Sequence, residues 1–336
     1  MQLVQRTVFF CMKPDELLRP DFTVPNYHQQ LTATRPIQVY TYFWGTMPAS
    51  GNPPAGPAPP PSAPVHVFEG ATRLVPHDHE HCEFALVLSG SAVHRTGGGL
   101  RPIQKGSVII VAPTDVHALD NVRQLWLVNC TYLTEYLFYE PREILSVDGL
   151  APLFFHGAIV GGGTRAQVPQ WNISRGLLEK CILELQDISA ERARPDASPV
   201  FMRRTLEKLM LLLRRSYAES EEPPHVPVDA VIRQAVELIE ETIASGDPFS
   251  AARLAVEMGL SRDYLAQWFK RATGYTPTGY YQHRRVQQAC RLLLDRSTCL
   301  TTIAQELGYH DLAHFSRVFK QYRGVSPKAF QLRYAD

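Results

Sequence analysis

Apolar residues in the first third of the chain come in short runs. Ile37-Gln-Val-Tyr-Thr-Tyr-Phe-Trp44 is dense in β-branched and aromatic side chains, and the runs Val65–Phe68, Phe84–Leu88, Val108–Val111 and Leu125–Val128 follow it. Gly97-Gly-Gly99, Lys105-Gly106 and Ala112-Pro113 punctuate them. Runs of this length between such breakers predict the strands of a sandwich or barrel. The Pro-rich stretch 48–64 reads as an extended surface loop. Near Trp171 the period changes. Leu177, Leu178, Cys181, Ile182, Leu185 and Ile188 recur at three- and four-residue intervals, one face of a helix. Glu191–Pro199 breaks that pattern, and a second amphipathic helix carries Leu206, Leu209, Met210, Leu213 and Tyr217. Packing on the strand domain and forming a dimer seam are both open to these two helices, and the two roles are compatible. Pro223-Pro224 and Pro227 make a short linker, after which everything from Val228 onward is predicted helical.

Two stretches of that last part share one local design. In Ser250–Gly274, Ser250 is placed to cap a short helix with Leu254, Ala255 and Met258 inward, Gly259 supplies a left-handed stop, and Ser261 caps a second helix. Tyr264, Leu265, Trp268 and Phe269 give that helix an apolar stripe, and Gly274 ends it. About fifty residues later Ile303, Ala304 and Leu307 face inward, Gly308 makes the turn, Asp311 caps, and Phe315, Val318 and Phe319 form the next stripe. Two short helices joined by a tight Gly-containing turn make a helix-turn-helix. The long helix predicted between the units, roughly Thr278–Asp295, carries Val286, Ala289, Leu292 and Leu293 on one side and would hold the units in a fixed relation.

Length and charge sharpen this picture. A chain of 336 residues exceeds what one core usually serves, so two domains are expected. The net charge is only +1, yet Ser250–Asp336 holds 13 Lys/Arg against 6 Asp/Glu, a balance of +7, while the remainder carries −6. A basic C-terminal part suits a polyanionic partner. The six cysteines, Cys11, Cys82, Cys130, Cys181, Cys290 and Cys299, include no Cys-x-x-Cys pair and read as reduced thiols. No stretch is long and apolar enough to span a bilayer, and Val8–Cys11 is too short for a signal peptide, so the cytoplasm is the expected location.

The stretch Ile303-Ala-x-x-Leu-Gly-Tyr-x-Asp-x-x-x-Phe-Ser-Arg-x-Phe-Lys-x-x-x-Gly324-x-Ser-Pro327 closely resembles the signature of the AraC/XylS transcription regulators. Leu-Ser261-x-x-Tyr-Leu-x-x-Trp-Phe-Lys270-x-x-x-Gly274-x-x-Pro277 is similar to the same family's first unit, and the resemblance covers about Val228–Leu332. It implies double-stranded DNA as partner, with each second helix in a major groove and the two about 34 Å apart. Solvent-facing positions are Arg262, Asp263, Ala266, Gln267 and Lys270 on the first recognition helix and Leu312, Ala313, Ser316, Arg317 and Lys320 on the second. The resemblance puts Asp263, Ala266, Gln267, Leu312, Ala313, Ser316 and Arg317 toward the bases. Gln267 suits adenine and Arg317 guanine, whereas Arg262, Lys270, Lys320 and Lys328 suit phosphates.

A second resemblance lies upstream. Pro76-His-Asp-His-Glu-His-Cys-Glu83, with Gly90 seven residues on, and Gly106…Pro113-x-Asp…His117-x-x-x-Asn121 resemble the two cupin motifs. Even spacing on a strand puts His77, His79 and Glu83 on one face. His77, His79, Glu83 and His117 fill the four ligand positions of a cupin. They are candidates for one divalent metal (Zn, Fe, Mn or Ni) or for hydrogen-bonding an effector in a metal-free pocket. His81 shares their parity, and Trp44, Arg73, His94 and Trp126 are further candidates for the pocket wall.

The expected fold class is α+β in two domains. An N-terminal cupin, a double-sheet jelly roll, spans 1–170; amphipathic linker or dimerisation helices span 171–222; an all-α domain with helix-turn-helix units at 250–274 and 300–324 spans 228–336. The expected function is a sequence-specific DNA-binding transcription regulator, without catalytic residues, controlled by a small polar and sugar-like effector. It is expected to form a homodimer and to act on RNA polymerase as an activator. Two rivals stay open: a metal-dependent cupin enzyme carrying a DNA-binding tail, and a constitutive regulator whose cupin serves only dimerisation.

Overall fold

The computed structural model describes residues 9–12, 31, 36–45, 57–58, 60, 63–78, 81–113, 115–132, 147, 149–155, 167–220, 230–273 and 275–334. His79, Gly274 and most of the Pro-rich stretch lie outside them. The chain separates into two compact units, Met1–Leu133 with Thr164–Pro224, and Thr134–Gly163 with His225–Asp336.

Among the described residues the first unit is built on nine strands: β1 (Phe9–Met12), β2 (Ile37–Trp44), β3 (Val65–Phe68), β4 (Leu74–His77), β5 (Cys82–Thr96), β6 (Gly99–Gln104), β7 (Ser107–Val111), β8 (His117–Tyr132) and β9 (Gln170–Asn172). They run in the order β1-β3-β2-β8-β5-β7-β9, with β4 also on β8 and β6 on β5. The two halves of the expected jelly roll are joined because β5 and β8 run through both. β5 pairs with β7 along its first half and with β6 along its second, and β8 lies against it throughout.

What lets β5 serve both halves is a set of register shifts between Val87 and Val93. Gly90 sits there with φ +77°, a region open to residues without a Cβ. A Cβ on Gly90 would lie 2.1 Å from the Gln124 carbonyl oxygen, so the strands cross where only glycine fits. The shift reverses the side-chain parity of β5. Ala85 and Val87 belong to the internal core before it, and Ala92 after it. Trp44, Phe68, Ala71, Ile103, Ile109, Val111, Leu119, Val122, Leu125, Leu127 and Val168 complete that core.

Against the sheet packs a hairpin of two helices. In order after α1 (Leu150–Phe154), which lies in the second unit, these are α2 (Arg175–Arg192) and α3 (Pro199–Ala218). Ser174 and Ser198 cap them, each accepting a hydrogen bond from the backbone N–H three residues on. Most of the predicted stripes are buried, Leu178, Cys181, Ile182, Leu185 and Ile188 on α2 and Leu206, Leu209, Met210 and Leu213 on α3, while Leu177 and Tyr217 at their edges are half-buried. Arg192 donates to the Ile37 carbonyl, tying α2 to β2.

Helices α4 (Ala230–Ser245), α5 (Ala251–Glu257), α6 (Arg262–Thr273), α7 (Pro277–Leu293), α8 (Leu300–Glu306), α9 (Leu312–Arg323) and α10 (Pro327–Tyr334) form the rest of the second unit. α7 is the axle, with Tyr280, Val286, Ala289, Cys290 and Leu293 buried. Glu240 of α4 and Arg284 of α7 make a buried bidentate ion pair at 2.5 and 3.1 Å, and Gln287 accepts a further bond from Arg284.

Gly90→Ala is expected to cost about 3 kcal/mol or more, from the strained φ together with the clash against backbone. Denaturant melts of the single mutant against the parent protein measure it.

Candidate DNA interface and effector pocket

Each helix-turn-helix is fixed by its caps. Ser250 accepts from Arg253 N–H, Ser261 from Tyr264 N–H at 3.3 Å, and Asp311 from His314 N–H at 2.6 Å. Gly259 (φ +66°) and Gly308 (φ +68°) make the two turns, and Gly324 (φ +72°) closes α9. Leu265 and Phe269 on α6, and Phe315 and Phe319 on α9, are buried against the unit's core. That leaves the opposite faces in solvent. Arg262, Asp263, Gln267 and Lys270 are exposed and Ala266 is half-buried on α6; Leu312, Ala313, Arg317 and Lys320 are exposed and Ser316 is half-buried on α9.

One position departs from the expected stripe. Tyr264 is 56% exposed and leans on the half-buried Trp268, ring centroids 5.9 Å apart, instead of entering the core. Its place one residue after the cap region turns it to the rim of the exposed face. His314 holds the same place on α9, edge-on to Tyr309. Spacing reveals neither rim residue, because it does not separate the edge of a stripe from its centre.

The sheet unit gathers a polar cluster on its inner face. His77 on β4 pairs across to His117 on β8, with ring centroids 4.4 Å apart. His94 Nε2 is 3.3 Å from His117 Nδ1, and His94 Nδ1 is 3.0 Å from Gln170 Oε1 on β9. The network assigns the tautomers. Gln170 Nε2 donates to the Pro102 carbonyl, so Oε1 accepts from His94 Nδ1–H. Burial pushes His94 down to about 4, against the Gln170 bond, so the ring is neutral and its Nε2 accepts from His117 Nδ1–H. His77 Nδ1–H donates to the Val75 carbonyl at 2.9 Å. In the neutral form of either ring, these Nδ1–H contacts leave the lone pair on Nε2.

Glu83 lies deeper on β5, with the Asn129 amide 3.3 Å from each carboxylate oxygen. Burial pushes its carboxyl up to about 7, opposed by the nearby His77 and the Asn129 bond. On β2 and β3 Tyr42 stacks on Phe68, Trp44 stacks on Phe68, and His66, pushed down to about 4 by burial, lies against Tyr40 and Tyr42.

Several of the residues that the motifs suggest for the pocket fall elsewhere. Trp126 packs on Phe43 in the opposite layer of the sheet, because its neighbours Leu125 and Leu127 take the inner face. Arg73 is exposed, and His81 is buried just ahead of β5. His79 lies outside the described residues. Gln170 and Asn129, which hold His94 and Glu83, lie too far away in sequence for any local motif to include them. Lone pairs on Nε2 backed by Nδ1–H bonds are what a metal requires of histidine. Yet among the described residues no group of three His, Cys, Asp or Glu is placed to hold an ion.

Comparison with known proteins bears on both parts. A helix-turn-helix domain model matches residues 254–333, and a model of the AraC-like ligand binding domain matches residues 69–157. The HTH-type transcriptional activator RhaR of Klebsiella pneumoniae is 27% identical over 258 residues, covering 76% of this chain and 87% of that protein. RhaR of Escherichia coli K12 is 26% identical over 258 residues, covering 76% and 86%. Among solved structures, ToxT from Vibrio cholerae O395 aligns over 88% of this chain and 97% of that one, at 12% identity and a TM-score of 0.40. These parts define a DNA-binding transcription regulator with its own ligand-binding domain. The chain carries an AraC-type helix-turn-helix domain and an AraC-like ligand-binding domain.

Glu83 makes the pocket's polarity measurable. Its folded pKa lies above the free value, so its ionisation costs nothing below about pH 4.5 and its full penalty above about pH 7. Glu83→Gln should therefore gain stability relative to the parent as pH rises from 4.5 to 7, by at most ~3 kcal/mol. Thermal melts of both proteins across that window test it, and a pH-independent difference is the contrary result.

Proposed function

We propose that α6 and α9 read two successive major grooves, and that a small polar, sugar-like molecule bound in the sheet unit controls this reading. The observation that carries the first half is the matched exposure of the two recognition helices. Each buries one aromatic and aliphatic edge and leaves Gln267 or Arg317, with a lysine three residues on, in solvent. Gln267 and Arg317 have the donor and acceptor sets for adenine and guanine; Asp263, Ala266, Leu312, Ala313 and Ser316 complete the base-facing positions. Arg262, Lys270, Lys320 and Lys328 meet phosphates.

The second half rests on the residues gathered in the sheet unit's interior. Imidazoles and a carboxyl, together with the aromatic group Tyr42, Trp44 and Phe68, suit a molecule with hydroxyls on its edges and an apolar face. His77, His79, Glu83 and His117 are the effector-binding residues of this reading. The name of the RhaR relatives, transcriptional activators, supports activation through RNA polymerase as the outcome. We read the protein as a cytoplasmic, non-enzymatic regulator. Among the described residues no helix is long and apolar enough to cross a membrane. The α2–α3 hairpin, with Leu183, Val200 and Phe201 exposed, is the natural dimer surface.

A duplex selected in vitro with the full chain tests the first half. Arg317→Ala should weaken its binding by about 1–3 kcal/mol and relax preference at one base pair. Equal losses on selected and random duplexes would assign Arg317 to phosphate. For the second half, melts in a panel of monosaccharides should show one that raises stability, since a guest selective for the folded state must do so. His79→Ala should abolish that shift and leave basal DNA affinity intact. No shift with any sugar would favour a constitutive regulator.

A further inference from the structure

α7 carries two consecutive arginines, and a helix turns about 100° between neighbours, so their side chains leave it in different directions. Arg284 goes to Glu240 on α4. Arg285, almost wholly buried, goes to the turn of the second helix-turn-helix. Its Nε donates to the Leu307 carbonyl at 2.8 Å, and Nη2 donates to the same oxygen. Its guanidinium carbon lies 3.8 Å from the centroid of the Tyr309 ring and 5.2 Å from that of Tyr281. Nη1 reaches Gln282 Oε1 at 3.4 Å.

Leu307 is the C-cap of α8, where carbonyls have lost their intrahelical partners and carry the negative end of the helix dipole. A cation with two donors aimed at that oxygen both satisfies it and offsets the dipole. The ring beneath is no bystander. Tyr309 N–H bonds back to the Ala304 carbonyl at 2.8 Å, and the Tyr309 ring packs on His314 and Phe315 at the start of α9. The path from the axle to the recognition helix therefore has three rigid links: guanidinium to Leu307 carbonyl, guanidinium to Tyr309 face, and Tyr309 to the first turn of α9.

We propose that Arg285 is the positioning residue of the second recognition helix: it locks the 308–311 turn, and with it the orientation of α9, to α7. The role requires an arginine. A lysine keeps the charge and loses the two-pronged contact and the planar stack. The Tyr309 hydroxyl, by contrast, is buried with no hydrogen-bond partner among the described residues, so the ring acts without it. This inference rests on the reading that α9 faces DNA, but its first test needs no DNA.

In the full-length protein, Arg285→Ala should speed amide hydrogen exchange across 308–315 by tenfold or more and leave 262–270 within twofold. Arg285→Lys should fall between, and Tyr309→Phe should match the parent. Arg284→Met is the control: it leaves Glu240 buried and unpaired, lowers the melting temperature, and should change exchange in both stretches alike. On a duplex selected in vitro, Arg285→Ala should erase discrimination at base pairs read by α9 and keep it at those read by α6. Equal acceleration of both stretches, or none, overturns the proposal. Selective exchange with uniform loss on DNA would instead show that Arg285 positions the turn while α9 does not read bases, which sinks the DNA reading alone.

Discussion

The buried pair between Glu240 and Arg284 sets the terms on which the DNA-binding unit exists. Two charges removed from water cost several kcal/mol each, and only close bidentate geometry with further hydrogen bonds offsets that cost. Gln287 and Tyr280, both reaching into the same pocket, supply the remainder. An apolar contact at this place would hold α4 to α7 equally well in several rotations. The ion pair holds it in one, since sliding or turning by a residue strands a charge. With α4 fixed on one side and the Leu307 carbonyl held on the other, α7 becomes a rod with a defined orientation on both flanks, and the recognition helices inherit it.

In the sheet unit the corresponding constraint is steric. The crossing of β5 over β8 at Gly90 and Gln124 leaves no room for a Cβ, and the register shifts around it exchange the inner and outer faces of β5. Glu83 precedes the shift and His94 follows it. Their separation of eleven residues would put them on opposite faces of a regular strand, yet both lie on the inner face because the parity changes once between them. The polar cluster is thus a product of the irregularity and not of the alternation.

That difference explains what was legible in the residues. Helix caps, glycine turns and period-3.6 stripes are local, so both helix-turn-helix units and the α2–α3 hairpin could be read from spacing, with Ser250, Ser261, Gly308 and Asp311 in the positions their chemistry prescribes. Strand extents were less legible. Phe84–Leu88 lies in the buried first half of a 15-residue strand and Leu125–Val128 in the second half of a 16-residue one, and the rest of both strands carries many polar residues. β4, β6 and β9 carry few apolar residues in alternation and left no signal. Tyr264 misled the pattern because an aromatic beside a stripe reads as part of it. Gln170 and Asn129 escaped because their partners are contributed by strands 76 and 46 residues away.

Neutral histidines and a protonatable glutamate in one buried cluster also restrict how the two parts of such a regulator can be connected. A guest shifts an equilibrium only by the difference between its affinities for the two states. A pocket already at its full hydrogen-bond complement would bind any guest at the cost of breaking bonds, with little left to distinguish the states. Here the histidine chain ends on Gln170, and β9 passes straight into α2, while Trp171 beside it donates to Ser216 and packs edge-on against Tyr217 of α3. A guest that bonds to His117 therefore acts on a chain of hydrogen bonds whose far end lies on β9, next to the helical hairpin. Polarising one member of such a chain strengthens or weakens the next. The polar cluster and the packing of α3 thus meet at neighbouring residues of β9, Gln170 in the one and Trp171 in the other.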